Sequence, residues 1–91
     1  MIMTDEQLAE LFTLTREVRT HRTTYKNSAG EKHRRYGPAV QANGTEFWYW
    51  HGALHSVYGP AIIWSNGSQE WYWHGQRMTQ AEWGVRSESH T

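Results

Sequence analysis

Two consecutive segments of this chain have nearly the same sequence, and this repetition constrains the fold more than any other feature. Residues 36–52 read YGPAVQANGTEFWYWHG and residues 58–75 read YGPAIIWSNGSQEWYWHG. Equivalent residues are 22 positions apart where the match begins and 23 apart where it ends, which indicates one inserted residue near Ile63. A period of this length is typical of a supersecondary unit repeated along the chain, and not of a catalytic motif.

Each copy has the signals of an antiparallel β-hairpin. An Asn-Gly pair lies at the centre of both copies, and this pair is favoured in hairpins because both central residues of a type I′ turn need positive φ. A two-residue loop in each copy predicts that Val40 lies opposite Phe47 and that Ile62 lies opposite Trp71. The Gly-Pro pair that begins each copy fits the start of a strand, where proline is tolerated.

The sequences on either side of the repeat predict helices. Residues 4–19 begin with the capping box TDEQ and continue with apolar residues at three- and four-residue spacing. A second capping box begins at Thr79, and Gly84 is expected to end a short helix over residues 79–84. The polar residues 85–91 are expected to form a loose tail.

These patterns together predict an α+β fold in a single domain spanning residues 1–91. An antiparallel β-hairpin meander of about two and a half repeats is expected over residues 22–78, flanked by the N-terminal helix and the short C-terminal helix. The chain contains no cysteine, so the fold has no disulfide or thiolate zinc site to reinforce it.

The motifs within the repeat resemble those of a known group of proteins. Over residues 25–83 the order G-x-x-H-x-x-x-G-P-A, N-G-[ST] and W-Y-x-x-G resembles the tandem β-hairpin repeats of small phage and prophage proteins, which are similar to variants of the MORN repeat. The stretch His33-Arg34-Arg35-Tyr36-Gly37-Pro38-Ala39 keeps a phrase often found in that group, whereas the second copy lacks its arginine. The resemblance implies a hairpin architecture and a phage origin, and it implies no catalytic residues.

Charge is distributed unevenly along a chain whose formal net charge is zero. Residues 16–35 carry seven Lys and Arg against two Glu, a net charge of +5. The charges of residues 1–15 sum to −3, and those of residues 36–91 sum to −2. This basic stripe can attract phosphate groups or an acidic protein surface. The alternative interpretation is a solvated helix end followed by a polar hairpin.

Alternation along the strands predicts aromatic rings on both sides of the sheet. Trp48 and Trp50 are expected on one side of the first hairpin, with Tyr49 on the other. In the second copy the two equivalent tryptophans are expected on the side of Ile62, with Tyr72 behind them. The N-terminal helix offers one apolar stripe, which covers part of one side only, so we expect an aromatic surface on the other side.

An uncovered aromatic surface is typical of a binding site, because tryptophan, tyrosine and arginine are enriched among binding hot spots. The surface would take a partner protein or a second copy of the chain. The candidate partner-binding residues are Trp48, Trp50, Trp71, Trp73, Tyr49, Tyr72, Arg22, Lys32, Arg34 and Arg35. The alternative is that the tryptophans form the core of the repeat, with binding left to the outer tyrosines Tyr36, Tyr58, Tyr49 and Tyr72.

The residue pattern supports neither catalysis nor metal binding. No carboxylate recurs at equivalent positions of the two copies, and neither a Gly-x-Ser-x-Gly elbow nor a phosphate-binding loop occurs. His33 and His55 are equivalent, as are His51 and His74, and zinc accepts imidazole ligands. Equivalent residues lie one repeat apart, however, and need not converge on one ion. We expect no catalytic residue, no metal and no cofactor.

The function predicted from the sequence is therefore a non-enzymatic, protein-binding module. With the phage resemblance, it becomes an adaptor or inhibitor that acts on a host protein, for example a defence component, in the host cytoplasm. The alternative is single-stranded nucleic-acid binding through the basic stripe and stacked aromatic rings. No secretory signal and no apolar stretch of about 20 residues occurs in the sequence, so we expect no membrane partner.

Overall fold

A computed structural model describes residues 14–90 of the chain. The described residues form short β-strands and one helix: β1 (Thr15–Arg19), β2 (Arg22–Lys26), β3 (Val40–Ala42), β4 (Thr45–Phe47), β5 (Tyr49–Trp50), β6 (Ala53–Leu54), β7 (Ile62–Ile63), β8 (Gln69–Trp73), β9 (Gln76–Met78) and α1 (Gln80–His90).

The strands form an antiparallel meander, as the repeat predicts. Seven of the described strands make one sheet in the order β1-β2-β3-β4-β7-β8-β9, and β5 and β6 form a separate two-stranded ribbon between β4 and β7. Every pairing in the sheet is antiparallel and joins strands that are neighbours in this order. The side ribbon takes Tyr49 and Trp50 of the first copy out of the main sheet, whereas the equivalent residues of the second copy stay within it in β8.

The first hairpin has the predicted register. Val40 lies opposite Phe47, and Ala42 lies opposite Thr45. The two loop residues Asn43 and Gly44 have φ of 50° and 80°, the positive values that a type I′ turn requires.

The register predicted for the second hairpin is wrong by one residue. Ile62 lies opposite Glu70, not opposite Trp71. The loop has three residues, 65–67, because the amide of Trp64 donates to the carbonyl of Ser68 (2.8 Å). In this loop only Gly67 has positive φ (90°), as in a type I turn followed by a bulge. The inserted residue is therefore absorbed by the loop, and the strands pair as they do in the first copy.

This register also corrects the predicted sides of the second hairpin. Glu70 and Tyr72 lie on the side of Ile62, and the Tyr72 hydroxyl donates to Glu70 Oε1 (3.3 Å). Trp71 and Trp73 therefore lie on the opposite side, because neighbouring residues of a strand alternate.

The helix predicted over residues 4–19 is wrong at its C-terminal end. Residues 15–19 form strand β1, which pairs with β2 through a turn at Thr20-His21, where His21 has φ of 63°. Val18, one of the apolar residues within the predicted helix, is 61% exposed in β1. Threonine and valine favour extended backbone, and an available strand partner decides between the two structures. Residues 4–13 of the predicted helix lie outside the described residues.

The C-terminal helix begins as predicted and ends later. The Thr79 amide donates to Glu82 Oε1 (3.0 Å) and the Glu82 amide to Thr79 Oγ1 (3.2 Å), a complete capping box. These hydrogen bonds hold the pKa of the Glu82 carboxyl below its ordinary value. Helix α1 continues through Gly84 to His90, so residues 85–90 are helical and the predicted loose tail is wrong there. Glycine costs about 1 kcal/mol inside a helix, and the docking of Trp83 described below offsets this cost.

The most buried apolar side chains are small or aliphatic. Ala39, Val40, Ala61 and Ile62 are at most 5% exposed. The two alanines end the Gly-Pro-Ala phrases, and the Ala61 carbonyl accepts from the Trp48 amide (2.6 Å). All described tryptophans are partly exposed. The rings therefore form a layer over a thin core, which suits a chain too short to enclose them.

A buried histidine joins each hairpin to the next. His33 Nδ1 accepts a hydrogen bond from the backbone amide of His51, and His55 Nδ1 accepts one from that of His74, both at 2.9 Å. His51 and His74 occupy the turns, with φ of 48° and 46°. The repeated histidines are thus backbone acceptors that set the spacing between repeats.

Candidate functional site

One open groove on the sheet brings basic and aromatic side chains together. We call it the arginine–indole groove, and it has a volume of about 240 Å³. It is lined by Arg34, Arg35, Trp48, Trp50, Tyr58, His55, Ser56, Val57 and His74. No carboxylate from the described part of the chain lines the groove, so the two guanidinium groups give these described residues a positive potential.

The fold places the two tryptophans through the side ribbon. Trp48 follows β4, and its amide donates to the Ala61 carbonyl in the next repeat. Trp50 lies in β5 opposite Ala53, whose small side chain leaves room beside the indole. Trp48 and Tyr58 line the same wall, with ring centroids 6.3 Å apart. The predicted separation of Trp48 and Trp50 from Tyr49 is confirmed, because Tyr49 lines a hollow elsewhere and not this groove.

The arginines are held over aromatic rings. The Arg34 guanidinium lies 4.1 Å from the Tyr25 ring centroid, and its Nη1 donates to the Pro38 carbonyl (3.4 Å). A β-carbon at Gly37 would lie only 2.8 Å from Arg34 Cζ, so glycine is needed for this close approach. The Arg35 guanidinium lies 5.7 Å from the Trp50 ring centroid. Cation–π contacts of this kind pre-orient a guanidinium for a ligand.

One buried polar atom of a groove residue has no acceptor within the described part of the chain. Trp48 Nε1 is buried and makes no hydrogen bond there. A buried donor left unsatisfied costs about 1–3 kcal/mol, and such an atom in a binding site requires an explanation. Because this atom is shielded from solvent, a molecule in the groove would not reach it without a rearrangement of the wall.

Two of the predicted site residues serve packing. Trp71 packs against Trp83 of α1, with ring centroids 4.7 Å apart. Trp83 Nε1 also donates to the Ser56 carbonyl (2.7 Å). Trp73 packs edge-on against His55, at 4.6 Å between centroids. The tryptophans therefore divide: the pair in the first copy lines the groove, whereas the pair in the second copy holds the helix and the histidine.

The remaining predicted residues lie on the other side of the sheet. Arg22, Lys32 and Tyr49 line a hollow of about 230 Å³ together with Phe47. Tyr72 shares this side, since it lies opposite Arg77 and contacts Glu70. The pKa of the Tyr72 phenol is raised, first by burial and then by the Glu70 carboxylate. The basic stripe of the sequence is thus split between the two sides.

Sequence reasoning did not find the contribution of the second copy to the groove. Four residues that the sequence did not indicate as binding residues line it: His55, Ser56, Val57 and His74. Of this segment, only Tyr58 was predicted as a possible binding residue. The available signal was the stretch Gly52-Ala53-Leu54-His55-Ser56-Val57-Tyr58, in which the arginine of the first copy is missing. Small side chains at these positions leave a space that Arg34 and Arg35 border.

The residues that could serve a metal are already engaged or too dispersed. Among residues 14–90, no three His, Asp or Glu side chains are placed to hold a metal ion. The Nδ1 lone pairs of His33 and His55 are used in backbone hydrogen bonds. Burial, followed by the neighbouring His51, holds the pKa of the His33 imidazole below its ordinary value. His33 is therefore maintained as a neutral acceptor.

Comparisons with known proteins return no relative: no family model, no curated protein and no solved structure matches this chain. Within the described range, no helix has both the length and the apolar character that a bilayer crossing requires. The functional argument consequently depends on the geometry of the groove and of the opposite side.

Proposed function

We propose that this protein is a non-enzymatic binding module whose arginine–indole groove holds an acidic segment of a partner protein. The observation that carries the proposal is the composition of one groove: two guanidinium groups border partly exposed indole and phenol rings, and no carboxylate of residues 14–90 lines the groove. Arginine, tryptophan and tyrosine are the residues most enriched among binding hot spots.

The size of the groove favours a short segment of a protein chain. Pockets for drug-sized ligands and cofactors span roughly 300–1,000 Å³, whereas this groove measures about 240 Å³. That volume suits one or two bulky side chains. A carboxylate beside them would lie in the positive potential of Arg34 and Arg35. Tyr58 is 58% exposed and would form the outer wall of the contact.

The resemblance to phage hairpin repeats extends the proposal to the partner's origin. In a phage-encoded chain, the partner would be a protein of the host cytoplasm, and the module would act as an adaptor or an inhibitor, for example of a defence component. This extension depends on the repeat motifs alone. The groove chemistry stands independently of it.

The test uses the full-length chain and two variants that each lack one partly exposed indole. Trp50→Ala removes a ring of the groove, and Trp64→Ala removes a 38% exposed ring on the opposite side of the sheet. Proteins retained from bacterial lysate by the wild type are identified, purified and titrated against each chain. We expect Trp50→Ala to weaken the dissociation constant by about thirtyfold, as for a hot-spot residue, and Trp64→Ala to leave it within about threefold.

Charge provides the second arm of this test. Arg34→Gln with Arg35→Gln should weaken the same complex and reduce its dependence on salt, because rim charges mainly steer association. Equal binding by the wild type, Trp50→Ala and the double arginine variant would refute the groove as the binding site. Far-ultraviolet circular dichroism and thermal melting verify that each variant is folded.

A further inference from the structure

The side of the sheet opposite the arginine–indole groove carries its own concentration of positive charge. The register places Arg19, Arg22 and Lys26 on the same side as Val40 and Phe47, because directly opposed residues of antiparallel strands share a side. We call this side the basic face. It also carries Lys32, which lines its hollows.

Two hollows on the basic face adjoin each other. The first, of about 240 Å³, is lined by Glu17, Arg19, Arg22, Thr24, Lys26 and Lys32. The second, of about 230 Å³, is lined by Arg22, Lys32, Val40, Ala42, Phe47 and Tyr49. Arg22 and Lys32 belong to both. A continuous path therefore leads from a cluster of cations to a pair of aromatic rings.

The charges of the first hollow are strongly unbalanced. Four cations surround one carboxylate, Glu17, which pairs with Lys26 at 2.7 Å and approaches Arg19 at 3.9 Å. The hydrogen bond and the charge of Lys26 hold the pKa of the Glu17 carboxyl below its ordinary value, so this carboxylate is ionised at neutral pH. Counted over residues 14–90, the lining of the hollow keeps an excess charge of +3 after Glu17 is included.

The strand register brings two of these positive charges close together. Arg19 lies directly opposite Arg22 across the β1–β2 turn. Like charges in directly opposed positions destabilise a sheet, and nothing in the turn requires two arginines there. A bound anion between the two guanidinium groups would relieve the repulsion. Lys32 extends the positive surface inward, with its Nζ 5.1 Å from the Tyr49 ring centroid.

We propose that the basic face is a second binding site, which takes single-stranded nucleic acid. Phosphates lie against Arg19, Arg22 and Lys32, and a base stacks on the Tyr49 ring. A groove of cations that follows the backbone, next to rings that accept any base, is the general chemistry of single-strand binding. The site is independent of the arginine–indole groove, because Arg34 and Arg35 lie on the other side of the sheet. A chain with both sites would connect a protein to a nucleic acid.

Fluorescence anisotropy with a labelled 12-nucleotide oligothymidylate tests this inference on the full-length chain. We expect saturable binding at low ionic strength that weakens with salt. Each phosphate contact to a single strand contributes about −0.7 to the slope of log K against log salt, so contacts to Arg19, Arg22 and Lys32 give a slope of about −2. A chain without measurable binding at low salt, or with binding independent of salt, would overturn the proposal.

Matched double variants assign the site. Arg22→Gln with Lys32→Gln should weaken binding by at least about tenfold and reduce the slope to about −0.7. Arg34→Gln with Arg35→Gln removes the same charge from the other side of the sheet and should leave oligonucleotide affinity within about twofold. The same variant should weaken binding of the partner protein to the arginine–indole groove. Equal losses in both double variants would show nonspecific attraction to net charge and would refute a site on the basic face.

Two further probes separate phosphate binding from base stacking. Inorganic polyphosphate of matched charge should compete at least about tenfold less well than the oligonucleotide, because it has no base to stack. Tyr49→Ala should weaken oligonucleotide binding and leave polyphosphate binding unchanged. Equal competition by polyphosphate would reduce the basic face to a general polyanion site and overturn the assignment to nucleic acid.

Discussion

The histidine that joins the repeats provides the sharpest test of the fold. His33 is 9% exposed, and its Nδ1 accepts from the His51 amide at 2.9 Å. His33→Ala leaves this amide without an acceptor, whereas His33→Asn places Oδ1 where Nδ1 was. The two substitutions remove the same ring, so their difference isolates the hydrogen bond.

The magnitudes follow from these contacts. An unsatisfied buried amide costs about 1–3 kcal/mol. The ring also packs against Trp50, at 4.2 Å between centroids, and such a contact contributes about 0.5–1.5 kcal/mol. We expect His33→Ala to lower the free energy of unfolding by about 2–4 kcal/mol and His33→Asn by about 1 kcal/mol. A loss of 2 kcal/mol lowers Tm by at least about 8 °C in a domain of this size.

Urea denaturation followed by tryptophan fluorescence, together with thermal melting, measures both losses. The pH dependence adds an independent signature. Because the pKa of His33 is below its ordinary value in the folded chain, the unfolded chain binds a proton more readily, and stability decreases as pH falls below about 6.5. His33→Asn should reduce that dependence. Equal destabilisation by Ala and Asn, with unchanged pH dependence, would refute the backbone-acceptor role.

The sequence was sufficient for features that depend on local chemistry. The Asn43-Gly44 pair predicted a type I′ turn, and the turn fixed the pairing of Val40 with Phe47. The capping box at Thr79 predicted the start of α1. Each of these features is decided by the φ preference or the hydrogen-bonding capacity of residues that are close in the chain.

The sequence predictions were wrong where contacts between distant residues decide between two possible local structures. Residues 15–19 fit a helical spacing, and their pairing with β2 selects the strand. Gly84 is a helix terminator in isolation, yet α1 continues because Trp83 docks on Trp71 and on the Ser56 carbonyl. Tertiary contacts of this kind override propensities of about 1 kcal/mol.

The candidate site was only partly predictable for the same reason. Alternation separated Trp48 and Trp50 from Tyr49, which placed the tryptophans of the groove correctly. The charge distribution also placed Arg34 with Lys32 in one basic stripe, although the two side chains line different hollows on opposite sides of the sheet. The division appears in the tertiary contacts of the two cations, Lys32 over the Tyr49 ring and Arg34 over the Tyr25 ring, which no local sequence pattern specifies.

The remaining predictions concern the helix and the second loop. Thr79→Ala removes the capping box and should cost about 1 kcal/mol, measured by urea denaturation; an unchanged midpoint would contradict the cap. Trp83→Phe keeps an aromatic ring but loses the donor to Ser56, which should cost about 1 kcal/mol and increase amide exchange in α1; unaltered exchange would show that ring packing alone holds the helix. Deletion of Ser65 converts the three-residue loop to a two-residue Asn-Gly loop like that of the first copy. Because the extra residue lies wholly in the loop, the pairing of Ile62 should survive, and the main loss is the hydrogen bond from the Ser65 amide to Thr45 Oγ1, worth about 1 kcal/mol. Cross-strand nuclear Overhauser contacts report the register directly, and a shift by one residue in the deletion variant would show that the strands, and not the loop, accommodate the insertion.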